Sequence, residues 1–138
     1  MSIEFIRTIP ILRIFSVEKA KEFYVDWLGF RIDWEHEFEE NTPKYIQVSR
    51  DGLSLHLSEH HGDSTPGSVV HVEMRGIEDF HREITAKKYK FNCPGLDLTP
   101  WNSKCVSVID PFGNRIRFNE YVKSLLVEQR IELREQCN

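Results

Sequence analysis

Trp101 is the first residue whose type and position suggest a chemical role. It lies between Pro100 and Asn102, in a segment typical of a loop directly before a predicted hairpin. A large flat ring in such a loop can cover the hydrophobic core, or it can offer a stacking surface to a flat ligand. The residues alone leave both interpretations open.

A second group of candidates lies in the stretch 30–38, whose alternation predicts a strand. One predicted face carries Phe30, Ile32, Trp34, His36 and Phe38, and the other carries Arg31, Asp33, Glu35 and Glu37. The carboxylates could attract a cationic ligand, and Trp34 could stack on it. The alternative is an ordinary solvated strand face.

Composition limits the class of protein. The chain has 138 residues, enough for one domain, and its formal net charge of −4 argues against a nucleic-acid partner. No apolar run approaches the ~20 residues of a membrane-spanning helix, and the first residues lack the apolar core of a signal peptide. We therefore expect a cytoplasmic protein with no membrane partner. Cys93, Cys105 and Cys137 lie far apart, which predicts free thiols.

The elements that must position these candidates begin with a strand near 9–14 that contains Pro10. Ser16 is a suitable N-cap for the following amphipathic helix, and Gly29 is its expected stop. After the strand over 30–38, two further strands are predicted over 44–49 and 53–58, joined by an Asp51-Gly52 turn. The polar loop 59–67 then marks a boundary.

The second half repeats this order. A strand over 69–74, a helix from Ile77 to about Lys88 and a strand around Phe91 precede a terminal hairpin with the turn Asp110-Pro111-Phe112-Gly113. An offset of 61 residues aligns Gly52 with Gly113, Leu55 with Ile116, His56 with Arg117, and Leu57 with Phe118. We therefore predict an α+β fold of two βαβββ modules, about 8–58 and 68–121, within a domain over 1–121. A helical extension is predicted over 122–138.

This layout resembles the glyoxalase/bleomycin resistance protein/dioxygenase (vicinal oxygen chelate) superfamily, and within it the bleomycin resistance proteins most closely. The resemblance covers about Thr8 to Tyr121. It is carried by Ile9-Pro10-Ile11-Leu12, Glu22-Phe23-Tyr24, Leu28-Gly29-Phe30, Arg75-Gly76-Ile77-Glu78-Asp79, Pro100-Trp101-Asn102 and Asp110-Pro111-Phe112-Gly113-Asn114. The sequence departs from the family pattern at Asn102, which replaces a glycine, and at His56, which replaces an apolar ring.

The resemblance implies a homodimer with strand exchange near Pro10 and ligand grooves at the subunit interface. It implies that Trp101 stacks on the flat tail of a bleomycin-like ligand. It also implies that the stretch 33–38 lines the groove. The implied ligand-binding residues are Trp101, Trp34, Phe38, Asp33, Glu35, Glu37, His56 and Arg117.

The superfamily's enzymes hold a divalent metal with His and Glu side chains. The matching positions here are Ile9 or Pro10, His56, the region around His71, and Arg117. Proline offers no side-chain ligand and arginine would repel a cation, so only His56 and His71 remain as weak candidates. Two histidines are too few for a stable site, and we therefore expect no cofactor.

Three functions follow as hypotheses. The first is a metal-free protein that sequesters a flat, cationic, bleomycin-like antibiotic. The second is a metal-dependent lyase, isomerase or dioxygenase on the same scaffold, which would need Glu120, Glu73 or a histidine to complete its site by a register shift. The third is a binding protein for an unrelated small molecule, since a fold does not determine a function.

Overall fold

Two four-stranded sheets with the same strand order organise the protein. The computed structural model describes residues 2–122, and they divide after Pro66 into two units, here called module 1 and module 2. The predicted helix over 122–138 lies outside the described residues, apart from Val122. In each module the first strand pairs in parallel with the last strand, and the other pairings are antiparallel.

Module 1 has the sheet order β1-β4-β3-β2. Its elements are β1 (Ile11–Arg13), α1 (Val17–Lys21), a π-helical continuation (Glu22–Trp27), β2 (Arg31–Glu37), β3 (Lys44–Arg50) and β4 (Leu53–Ser58). The predicted caps are confirmed: Ser16 Oγ accepts a hydrogen bond from Lys19 N at 3.2 Å, and Gly29 has a φ of 77°. Leu55 and Leu57 are buried with Ile46 and Val48 on the sheet face that joins the core.

Module 2 has the order β5-β8-β7-β6. Its elements are β5 (Val69–Glu73), α2 (Ile77–Ala86), β6 (Asp97–Leu98), β7 (Ser103–Ile109) and β8 (Arg115–Tyr121). Phe118 packs against Phe80 of α2 with ring centroids 4.8 Å apart, so the face that carries Phe118 and Ile116 joins the core. The βαβββ repeat predicted from the sequence is therefore confirmed in both modules.

Two local expectations are wrong. The short strand before the terminal hairpin is Asp97–Leu98, whereas Phe91 lies in a turn and is 66% exposed. Cys93 is disulfide-bonded, whereas Cys105 is a free thiol. No helix among residues 2–122 is long and apolar enough to span a membrane.

Candidate functional site

A β-bulge at Asp33 determines which side chains reach the free face of module 1, the sheet face opposite the core. Ile32 pairs with Val48, but Trp34 pairs with Gln47, so Asp33 is the extra residue. The strict alternation predicted over 30–38 is therefore wrong. Ile32 stays on the side of buried Val48, while Trp34 turns to the free face.

The bulge also divides the predicted acidic row. Asp33 Oδ2 accepts a hydrogen bond from Gln47 Nε2 at 3.0 Å on the free face. Glu35 pairs with Lys21 at 2.6 Å, and Glu37 accepts from Asn41 N at 2.6 Å. The three carboxylates thus have three different environments, and they do not form one continuous charged stripe.

An aromatic groove of about 700 Å³ opens in module 1. Its lining residues share aromatic or acidic character and are Trp34, Glu35, His36, Phe38, Tyr45, His60 and Asp63. The Trp34 and Tyr45 rings stack with centroids 5.9 Å apart and an interplanar angle of 9°. Phe38 meets His36 and His60 edge to face at 4.5 and 5.8 Å. Trp34 remains 42% exposed and Phe38 remains 71% exposed, so both rings can contact a ligand.

A continuous chain of hydrogen bonds fixes the polar groups beside Trp34. Tyr45 Oη lies 2.7 Å from His56 Nδ1, His56 Nε2 lies 3.0 Å from Gln47 Oε1, and the Gln47 amide reaches Asp33. Every donor finds an acceptor when Tyr45 donates to Nδ1 and the Nε2–H of His56 donates to Gln47. His56 therefore orients the groove residues, and the Trp34 ring lies 5.4 Å from its ring.

The surroundings of these groups favour the same protonation states. Burial lowers the pKa of His56, and the positive charge of Arg7 lowers it further. Burial and the carboxylate of Asp63 raise the pKa of Tyr45. The hydrogen bond from Gln47 is the main cause that lowers the pKa of Asp33. Near neutral pH, His56 is therefore neutral, Tyr45 keeps its proton and Asp33 is ionised.

The positions where the superfamily's enzymes hold a metal do not form a ligand set here. Both ring nitrogens of His56 are hydrogen-bonded within its module. His71 is bonded in the same way, with Nδ1 3.2 Å from Asn119 Nδ2 and Nε2 3.2 Å from Tyr121 Oη. Within residues 2–122 there is no cluster of three or more His, Cys, Asp or Glu side chains that could hold a metal ion.

Glu120, which the enzyme hypothesis would require, has a structural contact instead. Its Oε1 accepts a hydrogen bond from Ile77 N at 2.9 Å, at the first residue of α2. A carboxylate at this place satisfies an otherwise unpaired amide and interacts favourably with the helix dipole. Glu120 therefore lies on the helix side of its sheet.

Trp101 lies at the tip of a tight turn in module 2 and is 58% exposed. The turn is held by Thr99, whose N donates to the Ser103 carbonyl at 2.8 Å and whose Oγ1 accepts from Ser103 N at 3.1 Å. Asn102, where the family has glycine, adopts a φ of 60°. Asparagine tolerates this left-handed conformation better than most residues, so the replacement preserves the turn.

Comparisons with known proteins place this arrangement in a family. The sequence profile described as "Glyoxalase superfamily protein" matches residues 1–124. The chain belongs to the glyoxalase superfamily. No curated protein matches the sequence.

Solved structures with the same fold include proteins that bind bleomycin. A bleomycin-binding protein complexed with bleomycin is 17% identical, with a TM-score of 0.65 over 86% of this chain and 100% of that chain. A bleomycin-binding protein from Streptomyces verticillus complexed with copper(II)-bleomycin is 23% identical, with a TM-score of 0.63 over 88% and 100%. A superfamily member from Sphaerobacter thermophilus is 20% identical, with a TM-score of 0.62 over 84% and 98%. At these identities the likeness shows the fold alone.

Three groove residues were not among the sequence candidates. Tyr45 lies two positions from Gln47 on the free face of β3, so the alternation of that strand could have identified it. His60 and Asp63 belong to the polar loop 59–67, where no periodic pattern indicates orientation. Of the predicted residues, Trp34, Glu35 and Phe38 line the aromatic groove, Asp33 and His56 support it, and Trp101 and Arg117 belong to module 2.

Proposed function

We propose that the protein binds a flat, cationic small molecule in the aromatic groove and sequesters it without chemical change. The observation that carries this proposal is the groove itself, where exposed Trp34 and Phe38 lie beside Asp63 and Glu35. An aromatic face attracts both flat rings and cations. The carboxylates of such a groove favour a positive ligand and increase its rate of association.

We propose a bleomycin-type glycopeptide as the ligand class. Two solved proteins of the same fold are described as binding bleomycin, which supports this choice. In this proposal Trp34 stacks on the flat part of the ligand, and Asp33, Glu35 and Glu37 contribute negative potential around the groove. Ion pairs with Arg31 and Lys21 reduce the contributions of Asp33 and Glu35, respectively. His56 holds Tyr45 and Gln47 in place.

We also propose that the protein acts in the cytoplasm as a homodimer and that Trp101 offers a further stacking surface to the same class of ligand. The exposure of Trp101 supports its role as a stacking surface. Exposed apolar side chains near the N-terminus, among them Ile3, Phe5 and Ile6, support a partner surface on module 1. Sedimentation equilibrium should give twice the mass of the chain, and a monomer at micromolar concentration would contradict the dimer.

The binding proposal is tested by titrating the protein with copper(II)-bleomycin while its tryptophan fluorescence is followed. We expect saturable quenching with one ligand per groove and recovery of the unmodified antibiotic after denaturation. Absence of any change at micromolar antibiotic would contradict bleomycin as the ligand class. Recovery of a modified antibiotic, together with one divalent ion per chain after purification without added metal, would instead support the enzyme hypothesis.

A further inference from the structure

On the free face of module 2, the sheet face opposite the core, the side chains lie in rows that run across the strands. The strand register aligns Val69, Arg115 and Ile109 in one row and His71, Arg117 and Ser107 in the next. The third row contains Glu73, Asn119, Cys105 and Asp97. Both acidic side chains of this face therefore lie in the third row, and the first two rows carry only positive or neutral groups.

Both arginines are available to a ligand. Neither the Arg115 nor the Arg117 guanidinium forms a hydrogen bond or an ion pair within residues 2–122, and Arg117 is exposed. By contrast, Arg31 and Arg82, which lie elsewhere, each pair with an aspartate. Two unpaired arginines at positions i and i+2 of one strand project from the same face and create a local positive potential.

Ser107 supplies an independent indication that this face binds a ligand. Its Oγ is buried and has no hydrogen-bond partner within the described part of the chain. A buried hydroxyl without a partner is costly, so such a group is often explained by a missing ligand or water. Ser107 is the direct cross-strand neighbour of Arg117, and facing pairs of this kind have Cβ atoms about 5 Å apart. An acceptor oxygen held by Arg117 therefore comes close to this hydroxyl.

The residues beside Arg115 indicate what kind of group the ligand carries next to its negative charge. Val69 is 54% exposed and Ile109 is 42% exposed, and they lie on either side of Arg115. A positive group between two exposed aliphatic side chains is complementary to an anion that carries an apolar portion.

We infer that the face formed by Val69, Ile109, Arg115, Arg117 and Ser107, here called the arginine face, binds a small carboxylic acid with an apolar body. The carboxylate bonds to Arg117 and Arg115, and Ser107 Oγ donates to it. His71, beside Arg117, is held in place by hydrogen-bond contacts with Asn119 and Tyr121. This site differs in charge and module from the aromatic groove, so the inference does not rest on the proposed function.

Titration of the ¹⁵N-labelled full chain with hexanoate tests this site. At constant ionic strength, millimolar hexanoate should shift the amide signals of Ser107, Ile109 and Arg117, whereas hexylammonium should not. Inorganic phosphate should bind more weakly, because it lacks the apolar body. Arg117→Gln should weaken hexanoate binding about tenfold, the typical effect of losing a hydrogen bond to a charged group.

One further variant tests the contribution of Ser107, and another serves as the charge control. Ser107→Ala should fold normally, since its hydroxyl has no partner to lose, and should weaken hexanoate binding several-fold. Arg82→Gln makes the same charge change on α2 and should leave hexanoate affinity unchanged. The inference is overturned if hexanoate shifts none of these signals, if hexylammonium or phosphate matches it, or if Arg82→Gln weakens binding as much as Arg117→Gln.

Discussion

Replacement of Trp34 by alanine should reduce the affinity of the aromatic groove strongly. Trp34 is 42% exposed, and a tryptophan offers at most about 250 Å², so roughly 100 Å² is open to a ligand. At about 25 cal/mol per Å², covering this area contributes about 2.5 kcal/mol, and stacking adds about 1 kcal/mol. Their sum corresponds to a Kd about 300-fold higher as an upper limit, since ordering costs reduce the gain. We expect the Kd of Trp34→Ala to be between about tenfold and 300-fold higher than that of the unchanged protein.

The assay is a copper(II)-bleomycin titration followed by calorimetry, which does not depend on the fluorescence of the removed indole. Trp34→Phe keeps a ring against Tyr45 and should lose less affinity than Trp34→Ala. Phe91→Ala provides the matched control, because Phe91 is an exposed ring in module 2 that does not line the groove. An unchanged Kd for Trp34→Ala, or an equal loss for Phe91→Ala, would refute the stacking argument.

Three further predictions concern stability and pH. Because the pKa of His56 is lowered on folding, the unfolded chain binds more protons than the folded chain below about pH 6.5, so stability should fall as the pH decreases through this region. Urea unfolding on both sides of pH 6.5 should show a weaker pH dependence of stability for His56→Gln than for the unchanged protein. An equal pH dependence would contradict the lowered pKa. Asp110→Ala removes the acceptor of hydrogen bonds from Phe112 N, Asn114 N and Asn114 Nδ2 and should cost about 3 kcal/mol of unfolding free energy, whereas a cost near zero would show that the turn forms without it. Asn102 has a φ of 60°, which glycine adopts without strain, so Asn102→Gly should be tolerated. Asn102→Ala should lower the unfolding free energy by about 1 kcal/mol. Equal thermal stability of the two variants would contradict strain at this turn.

The fold was predictable because the capping residues, the turn residues and the alternation of buried residues all indicated the same order of elements. The cap at Ser16, the stop at Gly29 and the turn at Asp110–Gly113 each depend on local chemistry, and the structure confirms them. The repeated alternation of buried residues, such as Leu55 with Ile116, then placed equivalent strands in both modules. Local patterns of this kind are sufficient for the order of elements.

The site was less predictable because it depends on interruptions of those patterns. The bulge at Asp33 moves one residue out of the ladder, and alternation alone gives no sign of such an insertion. His60 and Asp63 reach the groove from a loop, where no period relates sequence position to direction. The repeat does not locate the short strand Asp97–Leu98, because the offset that aligns the terminal hairpins does not extend to the loop before Asp97.

The protein contains its own reporters for the central claim, that exposed aromatic surfaces bind a flat cationic ligand. Of its three tryptophans, Trp34 and Trp101 are 42% and 58% exposed, whereas Trp27 is 2% exposed. Their indole N–H signals can be followed separately in a ¹⁵N-labelled sample titrated with metal-free bleomycin. We predict saturable shifts for Trp34 and Trp101 and none for Trp27. Saturable binding that leaves the Trp34 signal unmoved, or no binding at all, would contradict the account.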